Sequence, residues 1–285
     1  MKNLSRTPPV DIRRQLRQEV GFGCPVEGCG NPYLEYHHFN PSWATKQHHN
    51  PEGMVALCHE HHAKADAWTI EQTTALKKPN LSRIEVTGRI EWLRQDILAI
   101  VGGNYYYETE NILVLNDQNS IWFERDEDNH LLLNVFINLP GEQPKTILQN
   151  NDWIVLGNPD DVDSPPNGSL LEVKYPDGDY IRLKFKNYVS PESLFNQYTD
   201  LSRFSGELTF PLITAELTMK IGAAGIELGT SKTTLPGNIT FTGNFVSGPG
   251  TAFSIELPSN GTQAIQSILQ KNDHLLSQEY GHPVS

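Results

Sequence analysis

Two short stretches of the chain bring together side chains that bind metals and move protons. Residues 35–39 read EYHHF, and residues 56–66 read ALCHEHHAKAD. The first stretch holds two adjacent histidines, and the second holds two more behind a cysteine. Such a pair can divide the work of hydrolysis, because one imidazole can bind a metal while the other accepts a proton.

The three cysteines of the chain predict a structural zinc site. Cys24 and Cys29 enclose the tight turn Pro-Val-Glu-Gly, and Cys58 and His61 form a second closely spaced pair. Two pairs of soft ligands are the arrangement that tetrahedral Zn²⁺ requires. We therefore predict Zn²⁺ bound by Cys24, Cys29, Cys58 and His61, with His59 as a neighbouring alternative to His61. The competing interpretation is three ordinary buried thiols.

A second metal site is predicted from the remaining histidines. His62 and Asp66 lie four positions apart on a predicted helix, so they project from one face. One of His37 and His38 can join them on a divalent metal such as Mg²⁺ or Mn²⁺, while the other points the opposite way if EYHHF is a strand. A neutral imidazole beside an open metal position suits phosphodiester hydrolysis, because the imidazole deprotonates water and the metal holds the phosphate oxygens.

A short amphipathic helix is predicted ahead of this cluster. In VDIRRQLRQEVGFG the apolar residues Ile12, Leu16 and Val20 recur every four positions, as on one face of a helix. Three basic residues lie off that face, and we interpret them as candidate contacts to DNA phosphates, with a solvated polar face as the alternative. They are Arg13, Arg14 and Arg17.

The rest of the chain predicts a linker helix and an all-β domain, giving an α+β class. Apolar residues recur at helical spacing in SRIEVTGRIEWLRQDILAIV, which predicts a linker helix over 81–103 between domains at 1–80 and 104–285. Beyond residue 104, short runs rich in Val, Ile, Phe and Tyr alternate with turn residues, as in LLEVKYPDGDYIRLKF. This pattern is typical of a sandwich, barrel or solenoid. Residues 263–276 favour a terminal helix.

Composition narrows the classes of protein to consider. No apolar run is long enough to span a membrane, and the N-terminus lacks the pattern of a secretory signal. The odd number of cysteines favours a reducing compartment, so we expect a cytoplasmic protein. The net charge of −12 belongs almost wholly to residues 101–285, which argues against phosphate binding there. We interpret the β domain as an oligomerisation platform, a sensor for a regulatory partner, or a target-recognition domain.

The order of the metal-binding residues resembles the HNH endonuclease family. Cys-x₄-Cys is followed by Tyr-His-His-Phe and then by Gly-Met-Val-Ala-Leu-Cys-x₂-His-His-x₃-Asp, within residues 24–68. The resemblance implies a small ββα-metal fold with an added zinc knuckle. It also implies a catalytic divalent metal bound by His37 and His62, with Asp66 available as a further ligand. In the same way it implies that His38 is the general base.

One position departs from the family pattern. The family usually has an asparagine five residues before the cysteine of the Leu-Cys element, where this chain has Gly53. That asparagine commonly orients the loop beside the base or binds the metal. Asn50 is our candidate for this catalytic role, with Asn40 and His49 as alternatives. His48 and His49 lie in a polar loop, where we expect them to be exposed or to face phosphate.

The sequence therefore predicts a metal-dependent HNH endonuclease acting on DNA. The β domain would control target, partner or activation, as suits restriction or antiphage systems. The main alternative is a non-catalytic zinc module that binds nucleic acid or protein. A third class, a carbohydrate-binding or scaffolding protein with an accessory zinc knuckle, has little support in the residues.

Overall fold

The computed structural model describes residues 4–77, 85–139, 142–257 and 266–269. Its helices are short: α1 (Val10–Glu19), α2 (His59–Lys64), α3 (Ile70–Ala75) and α4 (Pro191–Phe195). Its strands are β1 (Leu34–His38), β2 (Met54–Cys58), β3 (Val86–Arg89), β4 (Ile97–Val101), β5 (Asn104–Tyr107), β6 (Asn111–Leu115), β7 (Gln118–Arg125), β8 (Leu131–Val135), β9 (Thr146–Gln149), β10 (Asp152–Val155), β11 (Asp161–Asp163), β12 (Leu170–Lys174), β13 (Tyr180–Tyr188), β14 (Leu212–Ile221), β15 (Ile226–Leu228), β16 (Thr233–Leu235), β17 (Ile239–Phe241), β18 (Phe245–Ser247), β19 (Thr251–Glu256) and β20 (Gln266–Leu269). None of the helices described is long and apolar enough to cross a membrane.

The chain forms two compact units. The first unit draws on residues 1–91 and 152–177, and the second on residues 92–151 and 178–285. The sequence pattern had assigned the whole of 104–285 to the β domain. The structure instead gives β10, β11 and β12 to the first unit, so part of that unit lies far along the chain from its metal-binding residues.

The first unit is built on the antiparallel pair of β1 and β2. Tyr36 lies opposite Ala56 in this pair, and His38 lies opposite Met54. Every residue of β2 is buried, and α1 packs Leu16 into the same apolar core. The predicted N-terminal helix is thus confirmed. Because α2 begins directly after β2, the histidines of α2 are held close to the strand pair.

The second unit is almost entirely β-structure, as the sequence predicts. Tight turns join neighbouring strands, for example at Gly102 and Gly103, whose φ angles of 58° and 75° favour glycine. Three parallel pairings connect strands that are distant in sequence: β4 with β14, β5 with β18, and β6 with β19. Sequence patterns give no information on such pairings, which is why they left sandwich, barrel and solenoid equally open.

The predicted linker helix over 81–103 is wrong. Residues 86–89 form β3 and residues 97–101 form β4, while 81–84 lie outside the described residues. All five positions of β4 are buried, and a strand buried on both faces carries apolar residues at helical and strand spacing alike. Of the predicted terminal helix at 263–276, the structure describes only 266–269, and these form β20.

Candidate metal centre and histidine site

Three cysteines and one histidine form a compact cluster. The ligand atoms of Cys24, Cys29, Cys58 and His61 all lie within 4.8 Å of one another. The two Sγ atoms of Cys29 and Cys58 are 3.8 Å apart, and Nδ1 of His61 lies 3.2 Å from Sγ of Cys58. Tetrahedral zinc holds two sulfurs about 3.8 Å apart, and a sulfur and a nitrogen about 3.5 Å apart. The four side chains can therefore hold a metal ion such as Zn²⁺.

Backbone hydrogen bonds and the strand pair set the positions of these ligands. In the turn between the first two cysteines, the N–H of Cys29 donates to the carbonyl of Val26 at 3.0 Å, and the N–H of Gly30 donates to the carbonyl of Cys24 at 3.2 Å. Cys58 is the last residue of β2, opposite Leu34 of β1. The turn and the end of the strand thus bring the ligands of the cluster together.

His61, rather than His59, completes this cluster. The His59 side chain is 81% exposed, and its Nδ1 lies 2.9 Å from Oε1 of Glu35.

Cys24 is fully buried, and burial raises the pKa of its thiol to about 12. A buried thiolate is stable only beside a cation, and a bound metal deprotonates a coordinating thiol. The chemistry of the donor set therefore fits Zn²⁺.

Strand β1 directs its two adjacent histidines to opposite faces, because side chains alternate along a strand. His37 lies on the face that meets α2, with its ring centroid 5.3 Å from that of His62. Its Nε2 atom lies 3.9 Å from Oδ1 of Asp66. His38 lies on the other face, with its ring centroid 4.7 Å from that of Trp43. The two imidazoles are thus in separate environments.

The predicted second metal site is only partly assembled. Helix α2 ends at Lys64, and Asp66 lies in the 3-10 turn Ala65–Ala67 with its side chain 95% exposed. The predicted α-helix therefore does not extend to Asp66, although the side chain of Asp66 still lies beside His37, whose ring is next to that of His62. Among the residues described, only the cysteine cluster brings three ligand atoms together. His37 and His62 nevertheless lie side by side, with their ring centroids 5.3 Å apart.

His38 occupies a pocket made of aromatic rings. The centroids of His48 and His49 lie 5.2 Å and 5.9 Å from its own. His38 is 5% exposed, and neither of its ring nitrogens reaches hydrogen-bond geometry with any group in the described part of the chain. Burial lowers the pKa of His38 to about 4, and the neighbouring His48 adds to this effect. His38 is therefore neutral near pH 7 and can accept a proton.

We expect acidification to destabilise the first unit through His38. The pKa of this histidine is about 4 in the folded chain and about 6.5 when unfolded, so the unfolded chain takes up the proton first. Above about pH 6.5 the neutral ring makes its full contribution to the free energy of unfolding. This contribution is lost as the pH falls toward about 4, and the loss amounts to about 3 kcal/mol.

Urea unfolding of the wild type and of His38→Gln across this pH range measures the effect. The comparison subtracts the contribution of metal release, which both proteins share. The free energy of unfolding should fall more steeply for the wild type. Identical pH dependence in the two proteins would contradict the expectation.

Gly53 is required by the close approach of two backbone segments. A Cβ atom at this position would lie 1.9 Å from the carbonyl oxygen of Asn40. The carbonyl of Gly53 also accepts hydrogen bonds from the N–H groups of Phe39 and Asn40, at 2.9 Å and 3.2 Å. Asn50 caps the 3-10 turn Pro51–Gly53 by accepting from the N–H of Glu52 at 3.3 Å. Asn50 therefore shapes the loop, and no asparagine fits at position 53.

The arginines of α1 meet acidic side chains of the same unit. Arg17 is 2% exposed and donates to the carboxylate of Asp161 through Nε at 2.9 Å and Nη2 at 2.7 Å. It also donates through Nη1 to the hydroxyl of Tyr36 at 2.7 Å. Arg14 donates to the same carboxylate at 3.2 Å, and Nε of Arg13 is buried. The prediction that Arg17 contacts DNA is therefore wrong, whereas Arg14, whose side chain is 43% exposed, and Arg13 stay candidate contacts.

We expect Asp161→Asn to destabilise the first unit by about 3 kcal/mol. The substitution leaves the buried guanidinium of Arg17 without its bidentate partner, and Asp163 at 3.3 Å offers only a weaker replacement. Urea unfolding measures the change. Asp160→Asn alters the neighbouring exposed carboxylate and should cost less than about 0.5 kcal/mol. Equal effects of the two substitutions would show that the ion pair is not the cause.

Sequence reasoning missed several residues around the histidine pair. Glu35 lies on the same face of β1 as His37, and its Oε2 is 3.5 Å from Nδ1 of His62. The alternation of a strand could have placed Glu35 there. Trp43 and His48 offered no such signal, because their positions depend on the path of the loop between β1 and β2.

The arrangement is therefore a cluster that could hold a metal ion, beside two adjacent histidines on opposite faces of β1, and Arg17 of the arginine–aspartate ion pair also bonds Tyr36 of that strand. Its chemistry suits binding of a structural metal and acceptance of a proton by a neutral imidazole. Comparison of the chain with protein-family models, with curated proteins and with solved structures found no match.

Proposed function

We propose that the first unit is a metal-dependent, HNH-type endonuclease that hydrolyses phosphodiester bonds of DNA. The observation that supports this most directly is the division of the adjacent histidines: His37 lies beside His62 and Asp66, whereas His38 lies alone among aromatic rings. Metal-assisted hydrolysis of a phosphodiester needs a place for a cation and a separate group that accepts a proton from water.

His37, His62 and Asp66 would hold the divalent cation. When bound, an ion such as Mg²⁺ or Mn²⁺ supplies positive charge to the scissile phosphate and the leaving oxygen. Burial lowers the pKa of His37, which keeps its imidazole in the neutral form that can act as a ligand. The exposed carboxylate of Asp66 can move toward the two imidazoles without disturbing the core.

His38 would accept the proton of the attacking water. Its low pKa keeps the imidazole unprotonated at neutral pH. An anionic phosphate brought next to the ring favours the charged imidazolium, so substrate binding would raise the basicity of His38. The histidine would then hold the proton until solvent removes it.

The second unit would direct this activity. Its acidic, β-rich composition suits a role in target choice, in binding a regulatory partner or in joining copies of the chain. A nuclease under such control suits restriction or antiphage defence. The cytoplasm is the matching compartment, because reducing conditions keep the three free cysteines available as metal ligands.

A non-catalytic zinc module that binds nucleic acid or protein is the second candidate. Two observations favour it: the ligand atoms of His37, His62 and Asp66 do not converge as tightly as those of the cysteine cluster, and His38 is 5% exposed. In that case the histidine pair would have no chemical function.

Plasmid cleavage by the purified full chain tests the proposal. Protein treated with EDTA is given back Zn²⁺ alone, or Zn²⁺ together with Mg²⁺ or Mn²⁺. We expect nicking or linearisation only when the second metal is present, since zinc alone restores the structural cluster. His37→Ala should need a higher concentration of the second metal for half-maximal rate. Metal-independent cleavage, or no cleavage under any of these conditions, would contradict the proposal.

A further inference from the structure

The orientation of the His38 ring is set by packing. Neither ring nitrogen reaches full hydrogen-bond geometry with a group within the described ranges, although the backbone of His48 is close enough to act on the ring, so the rings around His38 and the backbone of His48 together position it. Three rings surround it, at centroid distances of 4.7 Å for Trp43, 5.2 Å for His48 and 5.9 Å for His49. A general base must hold its nitrogen within hydrogen-bond distance of a water molecule. The orientation of the ring therefore depends on the neighbour that is itself held most firmly.

His48 is held at both of its ring nitrogens. Its Nδ1 accepts a hydrogen bond from the backbone N–H of Asn50 at 3.0 Å. Nδ1 therefore carries no proton, and Nε2 donates to the carbonyl of Pro41 at 2.9 Å. These two bonds fix the tautomer and the plane of the ring, and they tie together the two ends of the loop that follows β1.

The fixed His48 ring meets His38 edge to face. The two ring planes are 87° apart, so the position of one plane limits rotation of the other. Gly53 gives His48 the space to do this, because a Cβ atom at position 53 would lie 3.1 Å from Cε1 of His48. The position of the His48 ring therefore depends on the glycine at position 53.

Trp43 and His49 are held differently. Their rings stack on each other, with planes 28° apart and centroids at 5.6 Å. Nδ1 of His49 is buried, and it has no hydrogen-bond partner in the described residues. This pair covers His38, but it lacks the two backbone bonds that fix His48.

We infer that His48 is a positioning residue that orients the His38 ring through its two backbone hydrogen bonds. The inference rests on the proposed function, in which His38 is the base, but the geometric part of it stands separately. His48 would not touch the substrate. Its contribution is to keep the reactive nitrogen of His38 in one place, and a misplacement of about 1 Å in such a group can cost about 10²-fold in rate.

Three variants of the full chain test the inference. His48→Ala removes both hydrogen bonds and should lower kcat about 10- to 100-fold, with KM changed less than about twofold. His48→Gln can still donate to the carbonyl of Pro41 and should recover part of the loss. Gln47→Ala changes the exposed neighbour of His48 in the same loop, and it should change kcat by less than about threefold.

A measurement on the ring itself separates this inference from the proposed function. Nuclear Overhauser contacts between the ring protons of His38 and Trp43 report the orientation of His38 without any substrate. We expect these contacts to be lost in His48→Ala and kept in Gln47→Ala. If they are unchanged in His48→Ala, or lost equally in both, the positioning role is wrong. If the wild type fails to cut DNA while the contacts respond as expected, the fault lies with the proposed function alone.

Discussion

Replacing Cys24 with serine is expected to release zinc and unfold the first unit. Cys24 is fully buried in the core that also contains Leu16 and Leu57. A structural zinc site contributes on the order of 10 kcal/mol to folding, which is comparable to the whole stability of a small domain. The strand pair and its short helices bury too little apolar surface to replace that contribution. Zinc content by elemental analysis and the urea unfolding midpoint measure the two effects.

A matched control separates loss of the ligand from loss of any nearby polar group. His59→Ala changes an exposed histidine of the same helix, two positions before His61, and should keep both zinc and stability. A strong chelator added to the wild type should reproduce the effect of Cys24→Ser. Wild-type protein that contains no zinc and unfolds at the same urea concentration as Cys24→Ser would show that the cysteines are ordinary buried thiols.

The cysteine cluster could be predicted because its geometry is local. Cys24 and Cys29 lie on one tight turn, while Cys58 and His61 lie where β2 passes into α2. Each pair brings its own ligand atoms close together, so the prediction assumed only one tertiary contact, the one between the two pairs. Residue type then decides the chemistry, since thiolates select soft metals such as zinc.

The arginines of α1 could not be interpreted correctly from sequence. Arg17 pairs with Asp161, which lies 144 positions further along the chain. An arginine that binds DNA and an arginine that binds a distant aspartate both lie outside the apolar face of a helix, so their position in the sequence does not distinguish them. The strand β11 that carries Asp161 joins the first unit only through the tertiary fold, and no periodicity in the sequence reports it.

Element type was ambiguous wherever a segment is buried on all sides. The residues of β4, ILAIV, are apolar at every position, and this run satisfied a helical pattern that extended back to residue 85. A similar limit applied to Asp66, because the change from α-helix to 3-10 turn after Lys64 has no marker in the sequence. Packing, rather than local preference, decided both outcomes.

Gly53 stands where the HNH endonucleases that the sequence resembles have asparagine, and the structure gives this glycine a steric cause. Read as a missing asparagine, Gly53 raises doubt about catalysis. In the structure its Cα faces the carbonyl of Asn40 so closely that any side chain would clash. The loop is organised by His48 and Asn50 instead. A family pattern is therefore tested best by asking what contacts each replaced residue makes.

His38→Ala is expected to lower kcat for DNA cleavage by about 10²- to 10⁴-fold, the usual contribution of a general base. KM should change little, because in the proposed function the imidazole acts on water rather than on the DNA. Zinc content should remain at the wild-type level, since His38 lies at the opposite end of β1 from Leu34, the residue that pairs with Cys58. Single-turnover cleavage of a plasmid with saturating Mn²⁺ measures the chemical step.

Chemical rescue makes this prediction specific to proton transfer. Removal of the His38 ring leaves a space bounded by Trp43, His48 and His49, and free imidazole has the size and shape of the missing group. Added imidazole should therefore speed cleavage by His38→Ala while leaving the wild type unchanged. It should not rescue His37→Ala, whose defect lies in metal binding and responds to the metal concentration. Wild-type rates in His38→Ala would show that His38 does not accept the proton, and cleavage would then depend on another group.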